Sequence, residues 1–171
     1  MKLVQSESTN SNWNVVYTYP NFEKKIHRYL CQKDIKSFLP LYKVKRQWSD
    51  RTKLLEVPLF PNYIFVKTNS ANHFSVLNVP GVTRYVSLDG YPVVVSEKEI
   101  DTIKKMLLTS CLTVEQTLEA GDIVVIEKGP FQGMQGVMIE RKGKTRLAIK
   151  IEALNRTLSI EICASTVRKI Q

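Results

Sequence analysis

From Trp13 to Tyr19 the chain runs through β-branched and aromatic residues, which predicts a strand. Pro20-Asn21 ends it, with Asn21 as the expected helix N-cap. Phe22, Ile26, Tyr29 and Leu30 then recur at i, i+4, i+7 and i+8, the apolar stripe of an amphipathic helix, with Lys24, Lys25 and Arg28 off the stripe. Ser37 to Arg46 reads as a second strand. Residues 47–52 form a polar hairpin tip carrying a single Trp48, and Leu54 to Leu59 returns, interrupted by Pro58 at an edge or bulge. Pro61-Asn62 turns into the strand Tyr63–Val66. A short helix near 71–77 and a strand at 82–86 follow, and Asp89-Gly90 signals a hairpin whose return is 92–95. Ser96 and Glu99 make a capping box that opens a helix with Ile100, Ile103, Met106 and Leu107 at helical spacing. The first domain therefore spans 13–108 and mixes helices with a largely antiparallel sheet, an α+β arrangement.

Residues 109–119 lack a strong repeat and read as a linker. From Ala120 the pattern is all β, with strands expected near 123–127, 136–140, 146–152, 157–162 and 166–169. Leu147, Ile149 and Ile151 alternate on one face, as do Leu158, Ile160 and Ile162. Gly121, Gly129, Gly133, Gly136 and Pro130 punctuate the first two of these strands, supplying the positive φ and fixed bends of tight turns. Five short strands in residues 120–171 fit a small closed barrel better than an open sheet.

Composition narrows the class. Hydrophobic residues make up 43% and charged residues 24%, ordinary for a globular protein. No apolar run is long enough to span a membrane, and the polar N-terminus offers no secretory signal. Cys31, Cys111 and Cys163 are scattered without CxxC spacing. That argues against a disulfide framework or a zinc site, suits a reducing cytoplasm, and predicts small core residues. The net charge of +9 is concentrated: between Lys24 and Lys53 lie ten basic residues and two acids, Asp34 and Asp50. Such a local field attracts polyanions; a solvated face that keeps the chain soluble is the plainer alternative. His27 and His73 have no metal or protease spacing, and no GxSxG, P-loop or GxGxxG motif occurs, so no enzyme, metal site or cofactor is expected. His27 reads as a solvent or phosphate contact.

Alternation along Tyr63-Ile64-Phe65-Val66 sends Tyr63 and Phe65 one way and Ile64 and Val66 the other, so both faces of this strand need cover. Val15 and Tyr17 add to the aromatic side. With Phe60 and Pro61 they outline an apolar groove, and aromatic-lined patches mark protein-binding sites. The same residues also fit a plain domain core.

Trp13-Asn14-Val15-Val16-Tyr17, then Pro58 to Val66, then Val79-Pro80-Gly81-Val82, then Gly121 to Val137, which resembles a KOW motif, together resemble the NusG family of transcription elongation factors across about residues 13–170. Phe60-Pro61-Asn62-Tyr63, where a housekeeping member is expected to have Gly at the third position, resembles the specialised RfaH and UpxY-type antiterminators of capsular polysaccharide operons. Short length and the absence of inserts point the same way. The resemblance implies an NGN-like domain over 13–108 and a five-stranded SH3-like KOW barrel over 120–171. It implies that Val15, Tyr17, Phe60, Pro61, Tyr63 and Phe65, with Lys25 nearby, bind the clamp helices of RNA polymerase. Lys24, Lys25 and Arg28, with Trp48 and Arg51 at the hairpin tip, would contact the exposed non-template DNA of the elongation complex. Asn72-His73-Phe74-Ser75 occupies the region of a second polymerase contact without repeating its motif. Phe131 would meet a ribosomal protein or termination factor, or plug the barrel end. The implied factor is a cytoplasmic monomer that holds polymerase closed, suppressing pausing and termination, without contacting a membrane. A housekeeping elongation factor and a KOW-type RNA-binding or ribosome-associated protein are the competing readings.

Overall fold

The computed structural model describes residues 11–48, 51–69, 72–108, 113–115, 121–128, 131–141, 144–162 and 167–170. The expectations for the N-terminal residues 1–10, for Cys111 and Cys163, and for Gly129-Pro130 lie outside them. Contacts divide the chain into two compact units, Met1–Glu97 and Lys98–Gln171.

The first unit is built on a mixed-order antiparallel sheet. Its strands are β1 (Asn12–Thr18), β2 (Ser37–Phe38), β5 (Tyr63–Thr68), β6 (Val82–Tyr85) and β9 (Val94–Val95). They lie in the order β2-β5-β1-β6, with β9 also on β1. β3 (Leu41–Gln47) and β4 (Thr52–Pro58) pair as a separate two-stranded hairpin, as do β7 (Ser87–Leu88) and β8 (Tyr91–Pro92). α1 (Glu23–Gln32) and α2 (His73–Leu77) complete the unit. In the β1–β5 register Val15 faces Phe65, Val16 faces Ile64 and Tyr17 faces Tyr63. One side of the sheet thus carries Val16, Ile64 and Val66. It packs with Ile26 and Leu30 of α1, Val76 of α2 and Tyr85 into a buried core. The other side carries Trp13, Val15, Tyr17, Tyr63 and Phe65.

Several local expectations need correction. Asn21 does not cap α1: the residue before the helix is Phe22, and no side chain caps it. Asn21 instead takes φ 65°, a left-handed turn that Asn tolerates. The buried line of α1 runs through Glu23, Ile26 and Leu30, so Phe22 and Tyr29 fall to its exposed flank. The predicted strand 37–46 breaks at Leu39-Pro40, because Pro40 has no N–H for a ladder; β2 stays in the main sheet and β3 leaves it. Cys31 is exposed rather than a core residue, with its Sγ 3.8 Å from Ser37 Oγ. His27, expected as a solvent or phosphate contact, is half-buried with Nδ1 2.8 Å from Ser37 Oγ, so one ring nitrogen tethers α1 to β2.

One tie joins α1 to the sheet from inside. Glu23, only 4% exposed, accepts a 2.8 Å hydrogen bond from the backbone N–H of Asn62. Asn62 sits at φ 69°. Its carbonyl accepts from Thr18 N at 2.8 Å, and its side-chain amide donates to Tyr17 Oη at 3.4 Å.

α3 (Glu97–Leu107), which belongs to the second unit from Lys98 onward, buries Ile100, Ile103 and Met106. The remaining strands are β10 (Thr113–Glu115), β11 (Ile123–Ile126), β12 (Gln135–Arg141), β13 (Lys144–Ile151), β14 (Arg156–Glu161) and β15 (Val167–Lys169). They form one antiparallel sheet, β10-β14-β13-β12-β11-β15. All five expected strands are present, and β10, inside the stretch read as a linker, adds a sixth on β14. Val124, Ile126, Leu147, Ile151, Leu158 and Ile160 form its buried core. Arg146 is buried with them, donating from Nε to Ser159 Oγ at 2.8 Å and from Nη2 to the Ser159 carbonyl at 3.0 Å. The glycines act where strands close on each other: a Cβ at Gly121 would lie 2.0 Å from the Met138 carbonyl oxygen, and one at Gly136 2.5 Å from that of Ala148.

Two stability predictions follow from the ties on α1. Glu23→Ala leaves the buried Asn62 N–H unpaired and should cost about 1–3 kcal/mol in urea unfolding, whereas Glu23→Gln keeps an acceptor and should lose less. Burial holds the His27 pKa below its ordinary 6.5. The unfolded chain therefore binds that proton more readily, and the stability present above pH 6.5 is lost as pH falls. Melting temperatures of wild type and His27→Gln should diverge above that pH and converge below it.

Candidate functional site

The aromatic side of the sheet is the first candidate surface. The structure brings Val15, Tyr17, Tyr63 and Phe65 onto one face, as alternation predicts, and the turn after β4 adds Phe60 and Pro61. These six residues divide into two sets. Val15, Phe60 and Phe65 are buried, at 0%, 2% and 0% exposure, and form a floor. Phe65 stacks edge-on with Phe60, centroids 6.0 Å apart, and lies 5.9 Å from Phe38. Tyr17 and Tyr63 are half-exposed and Pro61 is exposed, so these three form a rim. The two rim tyrosines meet edge to face at 5.3 Å. The six residues thus split evenly between a buried floor and a more exposed rim.

The turn positions the rim. Pro61 presets φ at one bend, and Asn62 takes the left-handed conformation at the next. Glu23 and Thr18 then fix the Asn62 backbone, so Tyr63 enters β5 with its ring against Tyr17. Sequence reasoning missed Arg84, which pairs opposite Tyr17 on β6 and holds its guanidinium 5.7 Å from the Tyr17 ring. A cation two strands from the aromatic run carries no local signal in the sequence. Lys25 does not join this rim. It is exposed on α1, which covers the opposite side of the sheet, and its Nζ sits 5.7 Å over the Phe22 ring.

The second candidate surface is basic. Lys24, Lys25 and Arg28 on α1 are exposed, as are Lys43, Lys45, Arg46, Arg51 and Lys53 on the β3–β4 hairpin. Strand pairing puts Lys43 and Lys45 on one face of the hairpin and Arg46 and Lys53 on the other. At its tip Trp48 is 57% exposed, and its backbone N–H donates to the Arg51 carbonyl at 2.8 Å. Lys24 spans from helix to hairpin, donating from Nζ to the Glu56 carbonyl at 2.6 Å. Arg28 Nε lies 3.4 Å from the Lys24 carbonyl. Lys24 is thus partly committed to holding the hairpin, and Arg28 has its guanidinium folded back on α1.

His73 belongs to a different arrangement. Its ring stacks on Tyr85 at 4.1 Å and 8°, and Tyr85 Oη donates to the His73 carbonyl at 2.9 Å. Burial pushes the Tyr85 phenol up to about 12. In the second unit Phe131 is half-buried in a turn closed by a 3.0 Å bond from Met134 N to its carbonyl. Among the described residues no cluster of His, Cys, Asp and Glu could hold a metal ion, and no helix is long and apolar enough to cross a membrane.

Comparison with known proteins places this architecture. A family model described as "Transcription termination factor nusG" matches residues 11–104, from the start of β1 into α3. The transcription termination/antitermination protein NusG of Rickettsia bellii (strain RML369-C) is 26% identical, covering 98% of this chain and 94% of its own length. That of Streptococcus pyogenes serotype M1 is 25% identical, covering 91% and 96%. A solved structure described as "Domain interaction in Thermotoga maritima NusG" superimposes with a TM-score of 0.52 at 25% identity, over 94% of this chain and 98% of that one. The family match takes in the sheet, the aromatic turn and the basic hairpin, more than half of the residues, and the chain belongs to the NusG family of transcription termination and antitermination factors.

Proposed function

We propose that this protein is an elongation and antitermination factor that binds the clamp of RNA polymerase through the rim of Tyr17, Pro61 and Tyr63. The observation that carries the reading is the pair of half-exposed tyrosines beside an exposed proline, held on a turn fixed from beneath by Glu23. Rigid aromatics over a dry floor of Val15, Phe60 and Phe65 are the composition of binding hot spots. The action is mechanical. A ligand that binds the closed clamp more tightly than the open one depopulates paused states that need opening, and elongation continues through terminators.

In this reading Lys25 and Arg28 on α1, with Lys24, face the exposed non-template DNA, and Trp48 and Arg51 reach nucleic acid from the hairpin tip. Phe131 serves the second unit's own partner, a ribosomal protein or termination factor. Two roles share this surface: a general elongation factor and an operon-specific antiterminator of the capsular polysaccharide type. Asn62 at φ 69° occupies a conformation glycine also adopts, so Phe-Pro-Asn-Tyr and Phe-Pro-Gly-Tyr support the same turn. Length gives no separation, since this chain spans 94% of the Rickettsia bellii NusG. Recruitment that depends on DNA sequence would favour the operon-specific role.

Capture of purified core RNA polymerase by the full chain tests the proposal. Pro61→Glu combined with Tyr63→Ala changes the rim and spares the buried floor. It should weaken binding more than about tenfold, the scale of losing one hot-spot residue, with the fold intact by circular dichroism. A variant that binds as tightly as wild type would remove the rim from the interface. A wild-type chain that ignores polymerase and binds structured RNA with a steep salt dependence would establish the RNA-binding reading instead.

A further inference from the structure

One oxygen of the Glu23 carboxylate has no partner. Oε1 accepts from Asn62 N–H, but among the described residues nothing donates to Oε2, although Glu23 is only 4% exposed. A carboxylate has about four acceptor sites, and leaving them empty away from water is costly. Glu23 lines a cavity of about 540 Å³ beside the β3–β4 hairpin. The hairpin wall is apolar: Tyr42, Val44 and Val57 share one face by strand pairing and are half-buried. The rest of the wall is Pro20-Asn21 and Pro61-Asn62, two Pro-Asn turns whose asparagines sit at φ 65° and 69°. Toward the hairpin tip the cavity reaches Lys45 and Arg46, both exposed, with side chains that have no ion pair or hydrogen bond among the described residues. Lys24, bonded to the Glu56 carbonyl, holds the hairpin beside α1.

We infer that this cavity is a binding site for a free guanine nucleotide, with the base on Glu23 and the phosphates on Lys45 and Arg46. The lining makes three demands. A buried carboxylate oxygen calls for an N–H donor, a wall of prolines and a tyrosine suits a flat ring, and two unpaired cations call for an anion. An ammonium or guanidinium ligand meets the first demand and is repelled by the third. Guanine is the common base with two adjacent donors on one edge, its ring N–H and its exocyclic amino group. Adenine places an acceptor nitrogen beside its amino group, and that lone pair would face the carboxylate. A site built around a donor rejects an analogue that lacks it. The volume lies within the usual range for small-ligand sites, about 300–1,000 Å³. From Tyr42 to Arg46 the strand runs about 14 Å, at roughly 3.4 Å per residue, room for base, ribose and phosphates in line. The site shares Pro61 with the rim but does not require the polymerase reading.

Isothermal titration calorimetry of the full chain with GDP, ADP and guanosine tests it. GDP should bind about tenfold or more tightly than ADP, the scale of one hydrogen bond to a charged group. Glu23→Gln keeps an acceptor for Asn62 N–H but turns an amide toward the base, and it should weaken GDP by a similar factor with the fold intact by circular dichroism. Lys45→Ala with Arg46→Ala alters only exposed side chains. It should weaken GDP by about tenfold and leave guanosine unchanged, because guanosine has no phosphate to lose. No binding of GDP at millimolar concentration, equal affinity for ADP, or a folded Glu23→Gln chain that binds GDP like wild type would each overturn the inference. So would an alanine pair with undiminished GDP affinity. Displacement of GDP by oligothymidylate, which carries phosphates and no guanine, would assign the binding to the general basic surface and also overturn it.

Discussion

The first unit depends on a buried carboxylate meeting a backbone amide. Glu23 opens α1, where a negative charge favours the helix N-terminus, and it points inward to the N–H of Asn62. A buried carboxylate without partners is expensive, so helix and turn are locked together or lost together. The lock places three things at once. It holds α1 over the aliphatic face of the sheet, keeps Asn62 left-handed between Pro61 and Tyr63, and seats Tyr63 against Tyr17.

This arrangement gives the sheet two distinct sides. Val16, Ile64 and Val66 look toward α1, whose outer surface carries exposed aromatics and lysines and, with the hairpin, a concentration of positive charge. Trp13, Val15, Tyr17, Tyr63 and Phe65 look the other way, toward the proposed polymerase surface. Bound partners on the two sides need not compete. That geometry is compatible with the function proposed above.

Much of this was legible in the chain because the signals are local. Alternation in Tyr63–Val66 placed each residue on the correct side, Asp89-Gly90 made its hairpin with both residues at positive φ, and the spaced glycines of the second unit mark where strands close. What failed depended on distant neighbours. The even spacing of Phe22 and Tyr29 with Ile26 and Leu30 suggested one buried stripe. The helix instead buries Glu23, which accepts from Asn62 N–H, beside Ile26 and Leu30. The two aromatics stay outside. The split of the groove into floor and rim was also invisible, because alternation gives the side of a strand and not what lies over it. Strand β10 escaped because Thr113–Glu115 has no pattern of its own and is ordered by pairing with β14.

Polymerase affinity of Asn62→Gly against Asn62→Ala tests the central claim most directly. Glycine adopts the left-handed conformation freely, whereas alanine resists it by about 1 kcal/mol, and neither reaches Tyr17. If the turn geometry presents the binding rim, the glycine variant should bind core RNA polymerase within about threefold of wild type and the alanine variant clearly more weakly than the glycine variant, by about fivefold for that 1 kcal/mol. Equal affinity of the two variants would contradict the account.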